Sequence, residues 1–595
     1  MLMAAFSVLA STMALASPGR TDGVDPAAAA WIKSHAIPFT TSQAGHGFDD
    51  LAPLDKVIGD ARIVALGEPT HGTRDAFQMK HRLLEYLVEQ KGFRIFSIEA
   101  NMPESYALNE YIVDGKGDPA KLVAGMYFWT WNTQEVLDMV EWMRAWNVAH
   151  PPAAGAQPLR FTGFDMQTST VAATIATGFL QKQAPELVPE AKVAFANAEA
   201  LNFEVGDTAA AFASATAAFP AAAAKGKKLV LSGWIRTEGV DEWAGIWWRC
   251  DTPAGPGAFN NMKEQNISGT TDWKRYEFTL DCNPDTTGIN FGFLLSGPGA
   301  AWFDDVEITL DGVKYEDPAR FTFDFENDEV KYLSMPRGNY AVSRVETAPH
   351  SGKKCLRLRR LPDPKPGEKV DPKAAVAAAK KVLDAMVARR DELAAKAGAT
   401  ETDWAIQNAR IVWQRARMFD VDDMQKGSGI RDECMADNVE WILQHNPGAK
   451  IVLWAHNAHV SRGNIWGNTW MGRSIEAKFP GQMVVFGFAT GKGTYTASGG
   501  VGKSGLSSDH VLQEPPATSV EAYLASAGLP RMLLDIRAAR KDDPGSAWAL
   551  TSIPIRSIGA MAMEEQFFPI VPKEMFDILV WQEQTGASVP LKKAP

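Results

Sequence analysis

The sequence predicts an α/β fold, a mostly parallel sheet flanked by helices, interrupted by an inserted all-β jelly-roll sandwich. Three observations predict it. Short apolar runs alternate with amphipathic helical stretches near both ends of the chain, the pattern of strand–helix units. Several of these runs stop abruptly in Glu, Asp or His, as buried parallel strands do where they feed loops. Between the two ends, Trp-rich alternating segments are separated by Gly, Pro, Asn and Asp, as in a sandwich.

The elements follow in order. Residues 63–66 (Ile-Val-Ala-Leu) form an apolar strand that ends at Gly67-Glu68. Residues 74–90 carry Phe77, Leu83, Leu84, Leu87 and Val88 at helical spacing. Residues 94–98 form the next strand, which ends at Glu99. Residues 108–113 and 136–146 are helical in pattern, and 159–164 form a third strand ending at Asp165. From Val171 to about 224 the chain is Ala-rich and helical, which closes the first half of the α/β domain (17–224). Alternation begins at Lys228-Leu-Val-Leu-Ser-Gly-Trp234 and returns at 273–280, 289–295 and 301–308, giving an insert over 225–363. A Pro- and Lys-rich linker, 361–372, ends it. The second half of the α/β domain (364–595) holds helices over 373–396 and 411–443. Its strands are 450–455, 483–488, 532–536 and 576–581. Asp577 in the last of these places the strand's end near solvent.

At 595 residues the chain is too long for one ordinary domain. Its net charge of −11 and the lack of a basic or basic-aromatic tract argue against a nucleic-acid partner. Residues 1–16 are apolar and small and end in Ala14-Leu15-Ala16 before Ser17-Pro18, which reads as a signal peptide with an A-x-A-type cleavage site. A periplasmic or secreted protein follows from that reading. No other segment approaches ~20 uninterrupted apolar residues, so no membrane span is expected. Cys250, Cys282, Cys355 and Cys434 show no C-x-x-C spacing and do not support a zinc cage. Cys250 and Cys282 share one β-rich stretch. A disulfide between them and a pair of free buried thiols are both consistent with that placement.

The insert resembles the galactose-binding-like jelly rolls found as carbohydrate-binding modules. The resembling residues are Gly269-Thr-Thr-Asp-Trp273 and Ala301-Trp-Phe-Asp-Asp305-Val. The piece from Phe321-Thr-Phe-Asp-Phe-Glu326 through His350-Ser-Gly-Lys-Lys-Cys-Leu-Arg-Leu358 is similar to the usual beginning of such a module, yet comes last here. The resemblance implies a circularly permuted strand order and a glycan partner. Module termini often lie close together, which makes insertion and permutation tolerable.

The chemistry sits at the strand ends. Four strands finish in Glu68, Glu99, Asp165 and His456, with His71 three residues beyond Glu68 and His459 three beyond His456. If these strands are parallel neighbours, the groups converge on one pocket at the carboxyl edge, where open α/β sheets bind ligands. Carboxylates gathered in a low-dielectric pocket repel, so they must pair with cations, share protons or hold a metal. Arg74, Lys80, Arg431, Arg462 and protonated histidines are the candidate cations. A histidine oriented by a carboxylate is a general base suited to activating water. Each group also has a structural reading: a helix cap or ion pair for the carboxylates, a hydrogen bond to a buried carbonyl for the histidines. Trp129 and Trp131 suit the lining of a substrate cleft and core packing equally.

The segment Ser498-Gly-Gly-Val-Gly-Lys503-Ser504 imitates a phosphate-binding loop. Ala497 stands where the first glycine belongs, and no strand feeds the segment directly. G-x-S-x-G and H-E-x-x-H are absent. At Gly67-Glu-Pro-Thr-His-Gly-Thr73, Ile98-Glu-Ala100, Leu108-Asn-Glu-Tyr111, Gly163-Phe-Asp165, Arg431-Asp-Glu-Cys-Met-Ala-Asp-Asn438, Trp454-Ala-His-Asn-Ala-His459, Met471-Gly472 and Val485-Phe-Gly-Phe488 the chain resembles the erythromycin esterase family. The resemblance implies hydrolysis of an ester or macrolide lactone without a serine nucleophile, and the antibiotic-resistance setting of some members. It makes His71 the general base, has Glu68 and Glu99 orient it and the water, and has His456 and His459 stabilise the oxyanion or assist the leaving alcohol. Arg74, Lys80, Asp165, Trp129, Trp131 and Arg431 are the candidate substrate-binding residues. The family's cation on the helix after the first motif is usually arginine; Lys80 aligns with it and lacks the bidentate fork. No cofactor is expected. A metal-dependent hydrolase built from the same cluster and a glycan-binding envelope protein are the competing readings.

Overall fold

The computed structural model describes residues 24–591 apart from 152–156, 202–211, 253–254, 287, 317–323, 327–332, 338–339, 361–369, 422–423, 466–467, 500–504 and 564. The expected signal peptide, most of the 361–372 linker and Lys503-Ser504 fall outside the described residues. The chain divides into two compact units: one of residues up to 203, 370–497 and 507–595, and a second of 204–369 with 498–506.

The first unit is built on a sheet of β1 (Ala36–Pro38), β2 (Ile63–Leu66), β3 (Ile95–Asn101), β4 (Arg160–Asp165), β5 (Ile451–Trp454), β6 (Met483–Ser498), β7 (Leu506–Val511), β8 (Arg531–Asp535) and β9 (Ile578–Thr585). The order is β1-β8-β9-β6-β2-β5-β3-β4, with β7 on β6. From β9 to β4 the strands are parallel, and β8 and β1 close one side antiparallel. The mostly parallel sheet is therefore as expected. Burial shows why these short runs are strands. Ile63, Ala65, Ile95, Ile451, Leu453 and Val485 enter one core, while Val64, Leu66, Phe96, Ile98, Val452 and Phe486 enter another. Alternate residues thus face opposite sides, and both sides are apolar, which suits a sheet covered on both faces.

Helix α1 (Arg74–Lys91) ends on Gly92 in the left-handed region, φ 72°. α2 (Met102–Asp114) starts with Pro103 in its first turn. α3 (Gln134–Ala149) packs beside both. α4 (Thr170–Gln183), α5 (Val188–Ala200), α6 (Pro372–Ala388), α7 (Ala399–Met418) and α8 (Met424–Gln444) pack together in the other core. Two expected long helices are broken. The 373–396 stretch divides at Arg389, and the 411–443 stretch divides after Met418. Asp577 precedes β9. Its carboxylate accepts from Val485 N (2.8 Å) and pairs with Arg462 (2.8 Å).

The second unit holds two antiparallel sheets around a shared apolar core. It begins earlier than residue 225. Phe212–Phe219, read as helical from its alanines, is a strand that pairs with Gly288–Ser296 and turns Ala213, Ala215 and Phe219 into that core. Alanine is small enough for either element, and pairing with Gly288–Ser296 decides for the strand. The four cysteines are free and buried.

Candidate functional site

β5 lies between β2 and β3, in register with both: Trp454 is level with Leu66 on one side and Ile98 on the other. The residues that follow each strand therefore emerge side by side. They are Glu68 and His71 after β2, Glu99 near the end of β3, and His456 and His459 after β5. Asp165 closes β4 next door, where a register shift between Ile98 and Asn101 re-aims the chain around Glu99. Two glycines permit the crowding. A Cβ at Gly72 would run into the Thr496 carbonyl, and one at Gly163 into the Ala100 carbonyl.

Glu68 is fully buried. Its Oε1 lies 2.6 Å from His71 Nδ1, and its Oε2 accepts from Lys80 Nζ (2.5 Å) and Trp454 Nε1 (2.7 Å). Burial alone would raise its pKa. The Lys80 charge and the two hydrogen bonds outweigh that and hold Glu68 below the usual carboxylate range. A carboxylate only accepts, so His71 carries its proton on Nδ1 and keeps a basic lone pair on Nε2. Trp131 meets the His71 ring edge-on at 5.8 Å and donates its indole N–H to the Glu99 carbonyl (2.9 Å).

The second cluster centres on Arg431 of α8. Its Nη2 donates to Glu99 Oε1 and Asp165 Oδ2, both at 2.7 Å, and its Nε donates to Asp165 Oδ1 at 3.0 Å. Burial raises the Glu99 carboxyl, and the His459 and Arg431 charges more than reverse the effect, so Glu99 is strongly depressed. His459 Nδ1 donates to Asp432 Oδ1 (2.8 Å) and its Nε2 is 3.3 Å from Glu99 Oε1. Burial opposes the imidazolium, but the carboxylates of Asp432 and Glu99 prevail and the His459 pKa is raised.

His456 differs. Burial first, then the positive charge that His71 and His459 carry when protonated, press it down to about 3, so it is neutral. Its Nδ1 accepts from Ala458 N (3.3 Å), which puts the proton on Nε2. That buried Nε2 has no hydrogen-bond partner among the described residues. The His456 and His71 rings lie 5.3 Å apart.

Of the residues expected from sequence, Glu68, His71, Lys80, Glu99, Trp131, Asp165, Arg431, His456 and His459 come together. Lys80 is completely buried against Glu68 and under the Trp454 ring (4.2 Å), and Trp131 packs edge-on against the His71 ring, so both support the site from behind. Arg74 stands on the exposed first turn of α1, and no polar contact joins Trp129's half-buried side chain to the cluster. Sequence reasoning missed Asp432, Trp454 and Asn457. Asn457 ties β5 to β6 through the Phe488 backbone (2.8 and 3.0 Å). Among the described residues no group of three or more His, Cys, Asp or Glu is placed to hold a metal ion. No described helix is long and apolar enough to cross a membrane.

The profile of the erythromycin esterase family matches residues 88–239 and 344–585, about two thirds of the chain. The chain belongs to the erythromycin esterase family. Glu99, Asp165, Arg431, His456 and His459 lie inside the match, and Glu68, His71 and Lys80 precede it. Erythromycin esterase type II of Escherichia coli is 31% identical over 139 residues, 23% of this chain and 31% of that protein. The chain therefore spans about a third of that relative's length. A Bacillus cereus protein of solved structure has a TM-score of 0.60 at 18% identity, covering 95% of this chain and 98% of its own. An erythromycin esterase mutant in its open conformation has a TM-score of 0.50 at 12% identity, covering 91% and 95%. At these identities the structures speak to the fold.

Proposed function

We propose that this protein hydrolyses an ester or lactone bond of a small molecule with water activated by His71. The observation that carries the reading is the Glu68–His71 contact of 2.6 Å, with Lys80 behind it and the free N–H of His456 beside it. His71 Nε2 takes a proton from water as the oxygen attacks the acyl carbon. The carbonyl oxygen gains the charge and accepts from His456 Nε2–H, a neutral donor. When the tetrahedral intermediate collapses, the acyl–oxygen bond breaks and the leaving alkoxide takes the proton from His71, which restores the base. Glu99 and Arg431 fix His459 and the backbone N–H of His456, which donates to Glu99 Oε2 (3.1 Å). The scheme uses no cofactor.

Residues 1–16 support export to the periplasm or beyond, and the second unit's resemblance to carbohydrate-binding modules supports a glycan partner. The test is a screen of the purified protein against macrolides and generic acyl esters, with and without a chelator, beside His71→Ala. Hydrolysis that survives chelation and falls by about 10²-fold or more in the variant is expected. Equal rates for the variant, or a rate abolished by chelation and restored by a divalent ion, would overturn the scheme.

A further inference from the structure

β9 ends at Thr585, and residues 586–591 run on as a strap beside two loops of the site, bridged to Thr73 at Ala587 and to Thr133 at Pro590. The first loop carries His71. Arg74 N donates to the Gly586 carbonyl (2.9 Å), and Ser588 N donates to the Gly72 carbonyl (2.8 Å), which also accepts from Thr496 N (2.9 Å). The second loop follows Trp131. Gln134 N donates to the Val589 carbonyl (2.8 Å), and Leu591 N donates to the Asn132 carbonyl (2.9 Å). One stretch of backbone therefore holds both members of the His71–Trp131 ring contact.

Side chains from three elements fasten the strap. Asp75 accepts from Gly586 N (2.9 Å), Thr496 Oγ1 donates to the Ser588 carbonyl (2.7 Å), and Glu135 accepts from Val589 N with both oxygens, each at 3.2 Å. Glu135 stands in the first turn of α3, where the helix dipole favours an anion, yet it is only 5% exposed and turns onto the strap. Among the described residues no hydrogen bond joins its carboxylate to Glu68, His71, Glu99, His456 or His459. Ser588 and Val589 are consecutive. The N–H of one reaches Gly72, next to His71, and the N–H of the other reaches Glu135.

We propose that Glu135 is a positioning residue for His71, acting through this strap. The inference rests on His71 being the base of the proposed reaction. The carboxylate fixes Val589, Val589 fixes its neighbour Ser588, and the Ser588 N–H fixes the carbonyl adjoining His71. The imidazole is thereby kept at its 2.6 Å contact with Glu68 and edge-on to Trp131. Without the carboxylate the Val589 N–H loses its acceptor and the strap slackens beyond Ser588. His71 then leaves the narrow range of orientations in which Nε2 faces the attacking water. Asp75 and Thr496 still tie the strap, so the change is one of alignment rather than of fold.

The test compares Glu135→Leu, which fills similar space and cannot accept, with Glu135→Gln, which keeps an accepting oxygen. The readouts are kcat and KM on an ester that the natural protein hydrolyses, the melting temperature, and the imidazole nitrogen resonances of His71 in histidine-labelled protein, identified by their loss in His71→Ala. In Glu135→Leu kcat is expected to fall about 10-fold or more with KM within about 2-fold of natural, because the misplaced group acts in the transition state. The His71 resonances should shift or broaden, and Glu135→Gln should return both readouts close to natural. A merely structural carboxylate would lower the melting temperature and leave the His71 resonances in place. That result overturns the assignment, as does a Gln variant as impaired as the Leu variant. Thr496→Val removes the hydroxyl that holds the Ser588 carbonyl and should give the same signature. It carries the test if Glu135→Leu does not fold, and natural kcat and resonances in it would then refute the role of the strap. A protein that hydrolyses no ester in the screen refutes the proposed function alone, since the His71 resonances still report on the strap.

Discussion

Replacing Lys80 with methionine keeps the reach of the side chain and removes the charge that meets Glu68 at 2.5 Å. Glu68 then remains fully buried, with Trp454 and His71 as its donors. Breaking a buried pair by removing one partner costs about 3–5 kcal/mol of stability. The carboxyl of Glu68 also loses the largest influence that keeps it ionised, so it moves toward protonation. A protonated Glu68 holds His71 Nδ1 poorly and the base loses its tautomer, for which a fall in kcat of about 10²-fold is expected. The pH profile isolates the cause. Burial brings the Lys80 ammonium down to about 8 against the pull of Glu68, so the site loses this cation as pH rises through 8. Activity of the natural protein should fall on that alkaline limb. Lys80→Arg, whose guanidinium stays charged beyond pH 12, should move the limb upward. The stability signs are separate. Glu68 is depressed, so its contribution is present above its unfolded pKa and is lost as pH falls through the folded one. Lys80 is also depressed, so its contribution is present above about 10.5 and is lost as pH falls toward 8. Urea unfolding and kcat against pH for the three proteins measure both. An unchanged kcat and limb in Lys80→Met would refute the reasoning.

Asp432→Asn removes the first carboxylate that holds His459 charged, so the raised His459 pKa should fall, read from its imidazole resonances by NMR. In the natural protein the His459 contribution to stability is present below about 6.5 and lost as pH rises through its raised folded value; the variant should narrow that window. Arg431→Met strands Glu99 and Asp165 without their shared cation and should cost about 3–5 kcal/mol in urea unfolding. A change under 1 kcal/mol would mean other groups neutralise them. Deleting residues 225–363 leaves the strand Phe212–Phe219 without its partner Gly288–Ser296 and should give insoluble protein. Deleting 204–369 removes the strand as well, and this form should stay soluble and hydrolyse a small generic ester, as sedimentation and an ester assay would show.

Much of the site was legible because the chemistry stands at strand ends. Glu68, Glu99, Asp165 and His456 each break an apolar run, and such a break marks the carboxyl edge of a parallel sheet. Asp432 escaped because one acidic residue on a helix reads as a solvated one, and its contact with His459 is made by tertiary packing alone. Trp454 read as the last apolar residue of its strand, yet its indole N–H serves Glu68. Lys80 was legible as a cation near the site, but its depth was not. A lysine among Phe77, Leu84 and Leu87 stands on the buried face of α1, where the apolar pattern alone would not put a charge. In the second unit, short alanine-rich runs carry too little side-chain preference to separate strand from helix, and Phe212–Phe219 was settled by its neighbours.

The placement of β5 between β2 and β3 has a consequence for the newborn chain. The ribosome delivers β2 and β3 early, the whole second unit next, and only then the strand that belongs in the middle. Until that moment two bare strand edges wait for a partner, an invitation to mispairing that a chaperone would have to guard. A gene cut between residues 165 and 424 would therefore encode two halves that each hold only part of both histidine clusters, and the clusters would assemble only if the late fragment slid its strand into the gap.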